Sequence, residues 1–228
     1  VFLAPVTFDE NGWFTAGHNG TTRAEMETDR IGQHVVQQEK KLYTFNNTKW
    51  DLEWVYLRHP RVENYELQDD KLTLRGTAVT LDQADTPTFL GIRQRDFIAA
   101  ITSDVALSGS GEAGITLYMD ESHHYDLAIR QRDTQLEAVL RLNIGDIKHE
   151  QKVVAIDTSS DAQLLIQASA ERYSFSIQAD GQTIELGSAQ TKYLSSEVAG
   201  GFTGVVIGLY AVGEGAIAEF TKFACEYL

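Results

Sequence analysis

Apolar residues recur at every second position through much of this chain, and that period fixes the class of fold open to it. Tyr173, Phe175, Ile177 and Ala179 alternate with Ser174, Ser176 and Gln178. Leu136, Ala138, Leu140, Leu142 and Ile144 alternate with Glu137, Val139, Arg141 and Asn143. Ile115, Leu117 and Met119 repeat the pattern, as do Leu72 and Leu74. A strand points successive side chains to opposite faces, so this alternation predicts antiparallel strands with one face on a core. Turn signals fall between the runs: Gln68-Asp69-Asp70-Lys71, Ser108-Gly109-Ser110-Gly111, Asp120-Glu121-Ser122, Gly145-Asp146 and Gly213-Glu214-Gly215. Asp180-Gly181, set between Phe175–Ala179 and Thr183–Leu186, predicts a hairpin. No stretch carries a long helical period. About a dozen strands at this spacing predict an all-β, two-sheet antiparallel β-sandwich of jelly-roll type.

The 228 residues carry a formal charge of −14, which repels nucleic acid and anionic membrane alike. Neutral carbohydrate is compatible with such a surface. The lone cysteine, Cys225, lies in an apolar strand and reads as a small buried hydrophobe. No internal disulfide is available and no signal peptide is recognisable, so the expected location is the bacterial cytoplasm. The chain opens on Val1 and not on methionine, which reads as the interior of a longer polypeptide. Residues 16–41 are polar and irregular and read as a linker ahead of a sandwich over 42–228.

Much familiar chemistry is missing. There is no phosphate-binding glycine loop and no nucleophile elbow. His123 and His124 are adjacent, so in an extended segment they diverge and cannot share a metal; they read as part of a solvated turn. Asp69, Asp70, Asp82, Asp85, Asp120, Asp161 and Asp180 sit at turn-like positions, and no two can be paired across a cleft. No catalytic residue, metal ligand or cofactor is therefore expected; structural calcium is the one alternative, although no loop has a recognised calcium spacing. Trp50 and Trp54 read as core residues on one face of a strand.

Two segments stand out. Arg93 and Arg95 share one face of a strand in an acidic protein, which reads as a structural ion-pair role or a face turned to an adjoining domain. In Gly200-Gly201-Phe202-Thr203-Gly204, a large aromatic is framed by glycines that permit positive φ and close approach. The ring either folds back on its own sheet or is offered outward.

Several segments fall in a known order. Trp50–Arg58, Glu63–Leu67 and Lys71–Gly76 come first. Phe89-Leu90-Gly91-Ile92-Arg93-Gln94-Arg95, Ala113–Met119 and Tyr125–Ile129 follow. Gly200–Tyr210 and Ala218–Phe223 close the series. Together they resemble the C-terminal concanavalin A-like β-sandwich of family 43 glycoside hydrolases, the β-xylosidase type, from about Leu42 to Leu228. Residues 1–15 are similar to the last hairpin of that family's catalytic five-bladed propeller.

The resemblance implies that the catalytic carboxylates belong to the propeller and that this chain is an accessory domain packed on it. It implies that Phe202, carried by Gly201 and Thr203, lines the rim of the substrate pocket and favours release of single sugars from chain ends. Arg93 and Arg95 then serve structure or the domain interface. The expected partners are the upstream propeller and, through it, a xylo-oligosaccharide or arabinoside; the parent is compatible with a homo-oligomer. The family commonly has Arg-Arg-Gln where this chain has Ile92-Arg93-Gln94, which leaves open whether the parent acts on xylosides, arabinosides or both. The alternative reading is an independent, lectin-like carbohydrate-binding module. A sandwich hydrolase would need a dense E-x-D-x-x-E strand, which is not found.

Overall fold

The computed structural model describes residues 4–23, 25, 39–46, 51–156, 162–179 and 181–227. Trp50, Asp161 and Asp180 lie outside the described residues, as does most of the expected linker. The chain divides into two compact units, Val1–Gln37 and Gln38–Leu228. The described part of the first contains a hairpin of β1 (Val6–Phe8) and β2 (Phe14–Ala16), with Phe8 opposite Phe14. Asp9 builds its turn: one carboxylate oxygen accepts from the backbone N–H groups of Asn11 and Trp13, each at 2.9 Å.

The second unit runs β3 (Glu39–Tyr43), β4 (Tyr65–Gln68), β5 (Lys71–Arg75), β6 (Thr88–Arg93), β7 (Ala99–Ser108), β8 (Gly111–Asp120) and β9 (His123–Arg132). It continues with β10 (Gln135–Ile144), β11 (Ile147–Ile156), β12 (Ala162–Ala168), β13 (Arg172–Ala179), β14 (Gln182–Gln190), the single helical turn α1 (Ser196–Ala199), β15 (Val206–Val212) and β16 (Ile217–Tyr227). One sheet has the order β11-β10-β9-β8-β15-β6. The other has β14-β13-β12-β7-β16-β5-β4, with β3 also on β16. The named strands pair antiparallel throughout. β16 is the seam of its sheet. One side follows β7; the other pairs first with β5 through Ile217–Phe220 and then with β3 through Phe223–Tyr227.

The alternation places the core. Tyr173, Phe175, Ile177 and Ala179 are all buried, and they meet Leu90, Ile115, Leu117, Leu140 and Leu209 from the facing sheet. Cys225 is in the same core, and burial pushes its thiol up to about 12. Trp54 packs there too, with ring centroids 4.9 Å from Tyr43 and 5.7 Å from Phe223. It is not on a regular strand, however: it follows a turn and precedes the Val55 bridge to Gly91.

β3 begins at Glu39, so sandwich pairing starts inside the segment that its polarity marks as linker. Charge conceals this strand. Lys40 pairs with Glu226 across the sheet at 3.0 Å, and Lys41 pairs with Glu53.

The inner strands of the six-stranded sheet bury apolar side chains on both faces, while its edge strand β11 is largely exposed. Phe89, Tyr118, Ala128, Val139, Val206 and Tyr210 point away from the main core and form a second apolar cluster. The connection from β5 to β6 lays Leu81 onto it. Gly208 exists for this packing, because a Cβ there would stand 1.9 Å from the Phe89 ring. Gly208→Ala is expected to cost about 1–3 kcal/mol by overpacking, measured by denaturant unfolding. A variant as stable as the parent would show that Phe89 has room to move.

Candidate functional site

The loop that carries Phe202 is prepared by what precedes it. After β14 the chain makes a short turn of 3₁₀ helix over Thr191–Leu194, then α1. Gly200 ends α1 with φ 81°, and its N–H donates to Ser196 O at 3.1 Å. Gly201 and Gly204 also lie at positive φ, 75° and 69°. None of the three has a neighbour within 4 Å of where a Cβ would sit, so backbone conformation and not crowding calls for glycine here. The result is a ring held wholly in solvent: Phe202 is 103% exposed. Phe is more often buried than exposed, so the outward ring is the less common of the two arrangements the sequence allows.

Beside the loop lies an open groove of about 780 Å³, lined among others by Gln94, Phe97, Tyr173, Leu194, Val198 and Gly204. Its lining is mixed: Phe97 and Val198 are exposed, beside the charged groups Arg95, Asp96, Lys192 and Glu197. Tyr173 donates its hydroxyl hydrogen to Gln94 Oε1 at 2.9 Å.

Arg93 and Arg95 part company. Arg93 is the last residue of β6, opposite Val206, and its guanidinium donates from Nη1 to Thr203 O at 2.7 Å. Arg95 lies past the strand end and pairs with Glu53 at 3.0 Å. Glu53 also accepts from the Tyr43 hydroxyl at 2.8 Å. The structure thus brings Arg93 to the Phe202 loop, while Arg95 lines the neighbouring groove and is paired with Glu53.

His124 does not sit in a solvated turn. It lies in β9 with its side chain 1% exposed, between two carboxylates. Its Nδ1 is 2.8 Å from Asp126 Oδ1, and its Nε2 is 3.0 Å from Asp82 Oδ1. Burial alone lowers a histidine pKa; here the charge of Asp126, with hydrogen bonds to Asp126 and Asp82, outweighs it and carries the imidazole up to about 9. The hydrogen bond from His124, opposed by burial and helped by Lys148, holds Asp82 down at about 2. Asn143 donates to Asp82 at 2.7 Å, and Lys148 pairs with it at 2.9 Å.

Arg141 extends the network, with 2.9 and 2.7 Å contacts to the two oxygens of Glu112 and 3.4 Å to Asp126. Tyr210 donates to Glu112 at 2.6 Å. Of the polar alternates of β10, Asn143 meets Asp82, a group distant in sequence, while Glu137 accepts from Arg130 on the neighbouring strand. Every carboxylate in the cluster is held by a cation or a hydroxyl, so no free acid and base face each other as glycoside cleavage requires. Among the described residues, no three His, Cys, Asp or Glu side chains are placed to hold a metal ion. His123, one residue away, pairs instead with Asp120 at 3.0 Å.

Residues 43–226 match the family described as beta xylosidase C-terminal concanavalin A-like domain. The chain is 33% identical over 220 residues to the non-reducing end alpha-L-arabinofuranosidase BoGH43B of Bacteroides ovatus, covering 94% of this chain and 42% of that protein. It is 26% identical over 235 residues to a xylosidase/arabinosidase of Butyrivibrio fibrisolvens, covering 96% and 44%. A solved structure titled Bacteroides ovatus xyloglucan PUL GH43B superposes with a TM-score of 0.83 at 33% identity, over 100% of this chain and 47% of that one. The chain thus spans less than half the length of these relatives. With two antiparallel sheets and a family match over most of its length, this chain belongs to the C-terminal concanavalin A-like sandwich domains of family 43 glycoside hydrolases.

Proposed function

We propose that this chain is the C-terminal accessory domain of a longer glycoside hydrolase that acts on β-xylosides, α-L-arabinofuranosides or both. In this reading the sandwich contributes no catalytic group. It packs on an upstream catalytic propeller and places Phe202 at the rim of that domain's substrate pocket. The observation that carries the reading is the fully exposed Phe202 ring on a loop of positive-φ glycines. The named activities of the relatives supply the substrate class. A ring at a pocket rim touches ground state and transition state alike, so it affects KM and leaves kcat.

The test is hydrolysis of aryl-β-xyloside and aryl-α-arabinofuranoside by the longer chain, by its Phe202→Ala variant and by the 228-residue chain. We expect activity in the longer chain and none in the 228-residue chain. Phe202→Ala should raise KM roughly two- to tenfold, the equivalent of one aromatic contact of about 0.5–1.5 kcal/mol. Unchanged kinetics in Phe202→Ala would remove the ring from the pocket; turnover by the 228-residue chain would place a catalytic pair in the sandwich.

A further inference from the structure

We propose that Arg93 is a positioning residue that sets where Phe202 stands, by tethering the backbone of its loop to the end of β6. This rests on the reading of Phe202 as a pocket-rim residue.

Three observations combine. The loop has unusual freedom, because Gly200, Gly201 and Gly204 all take positive φ with open space around them. Phe202 makes no anchoring contact of its own, being fully exposed. Against this freedom, among the described residues a single hydrogen bond reaches the tip 201–204: Arg93 Nη1 to Thr203 O, at 2.7 Å.

The donor is well founded. Arg93 pairs with Val206 in the β6–β15 register, and the next residue, Gln94, donates its N–H to Val205 O at 2.9 Å. Its neighbour Ile92 is buried in the main core. The guanidinium therefore reaches from a fixed strand end to the carbonyl immediately after Phe202. A charge-assisted bond to a carbonyl is stronger than a neutral one. Acting on backbone, it restricts the hinge and leaves the ring free to meet a sugar. Holding a contact group in its bound position lowers the ordering cost of binding, so loss of the tether appears in KM.

The experiment is a double-mutant cycle in the longer chain, with Arg93→Met, Arg93→Lys, Phe202→Ala and Arg93→Met/Phe202→Ala, each read as kcat and KM on aryl-β-xyloside and aryl-α-arabinofuranoside. Arg93→Met should raise KM by up to the amount that Phe202→Ala does, with kcat unchanged. It should add nothing once Phe202 is absent. Lysine, which keeps one cationic donor, should restore most of the loss. Hydrogen exchange of the peptide spanning Gly200–Val206 should be faster in Arg93→Met and slow again in Arg93→Lys. If Phe202→Ala raises KM while Arg93→Met is silent, or if the two effects multiply in the double variant, the tether is overturned and the Phe202 reading stands. If Phe202→Ala is itself silent, the Phe202 reading fails and the inference falls with it. Unchanged exchange in Arg93→Met overturns the tether whatever the kinetics.

Discussion

Replacing Asp126 with alanine is expected to lower the unfolding free energy by about 3–5 kcal/mol, the usual cost of removing one partner from a buried ion pair. Asp126 is 1% exposed and serves two cations, His124 at 2.8 Å and Arg141 at 3.4 Å. Its loss leaves the His124 charge in the interior with Asp82 alone. For a domain of this size each kcal/mol moves Tm by roughly 2–4 °C, so the expected fall is on the order of 10 °C. Asp82→Ala is the comparison. Its side chain is 28% exposed, and solvent screens part of what is lost, so about 1 kcal/mol is expected. Thermal and denaturant unfolding of the three proteins decide the matter. Equal losses at the two positions would show that the network is not graded by burial in the way the geometry implies.

Stability should also fall on the alkaline side, with His124 as the cause. Its pKa in the fold, about 9, lies above the ordinary 6.5, so the folded chain holds this proton more tightly than the unfolded one. The contribution is fully present below about pH 6.5. It fades as the pH rises and is gone once the pH passes about 9. A rise from 6.5 to about 9 corresponds to on the order of 3 kcal/mol. The groups facing the imidazole are Asp126 on its own strand, Asp82 and Asn143, with Lys148 on Asp82, Arg141 on Asp126 and the Tyr118 ring 5.8 Å away. Denaturant unfolding between pH 6 and 9.5 should show the slope, and His124→Gln should flatten it. An NMR titration of the imidazole reads the same proton directly; a midpoint near 6.5 would refute the assignment.

What the sequence disclosed and what it hid follow from one property of strands. Period 2 says which residues share a face, and for β13 that was enough: its four alternating apolar residues are all in the core. It does not say what lies over the other face. The polar alternates Glu137, Arg141 and Asn143 look alike in one dimension, yet Asn143 is buried under Asp82 from the connection to β6, while Glu137 and Arg141 pair with Arg130 on β9 and Glu112 on β8. His124 was hidden for the same reason, since its second carboxylate comes from a segment far away in the chain. β3 was hidden by Lys40 and Lys41: Glu226, the partner of Lys40, lies at the far end of the chain, and Glu53, the partner of Lys41, lies outside any strand. The glycines that frame Phe202 are plain in the sequence, but they leave open whether the ring folds back or faces outward; the structure has it outward. The bond from Arg93 to that loop spans 110 positions, and adjacency in sequence gives no sign of it.

The seam strand β16 has a consequence for how such a domain comes into being. Tyr43 on β3, Leu72 on β5 and Ile101 on β7 all wait for partners on a strand that emerges after Gly215. On the ribosome, those early strands are made with no neighbour on that side, and loop closure over so many residues makes their pairing slow. Unpaired strand edges in a nascent chain are sites of misassembly. A chain cut short before Ile217 would part β5-β4 from β7-β12-β13-β14 and leave β3 with no strand to pair on, each piece with an open edge.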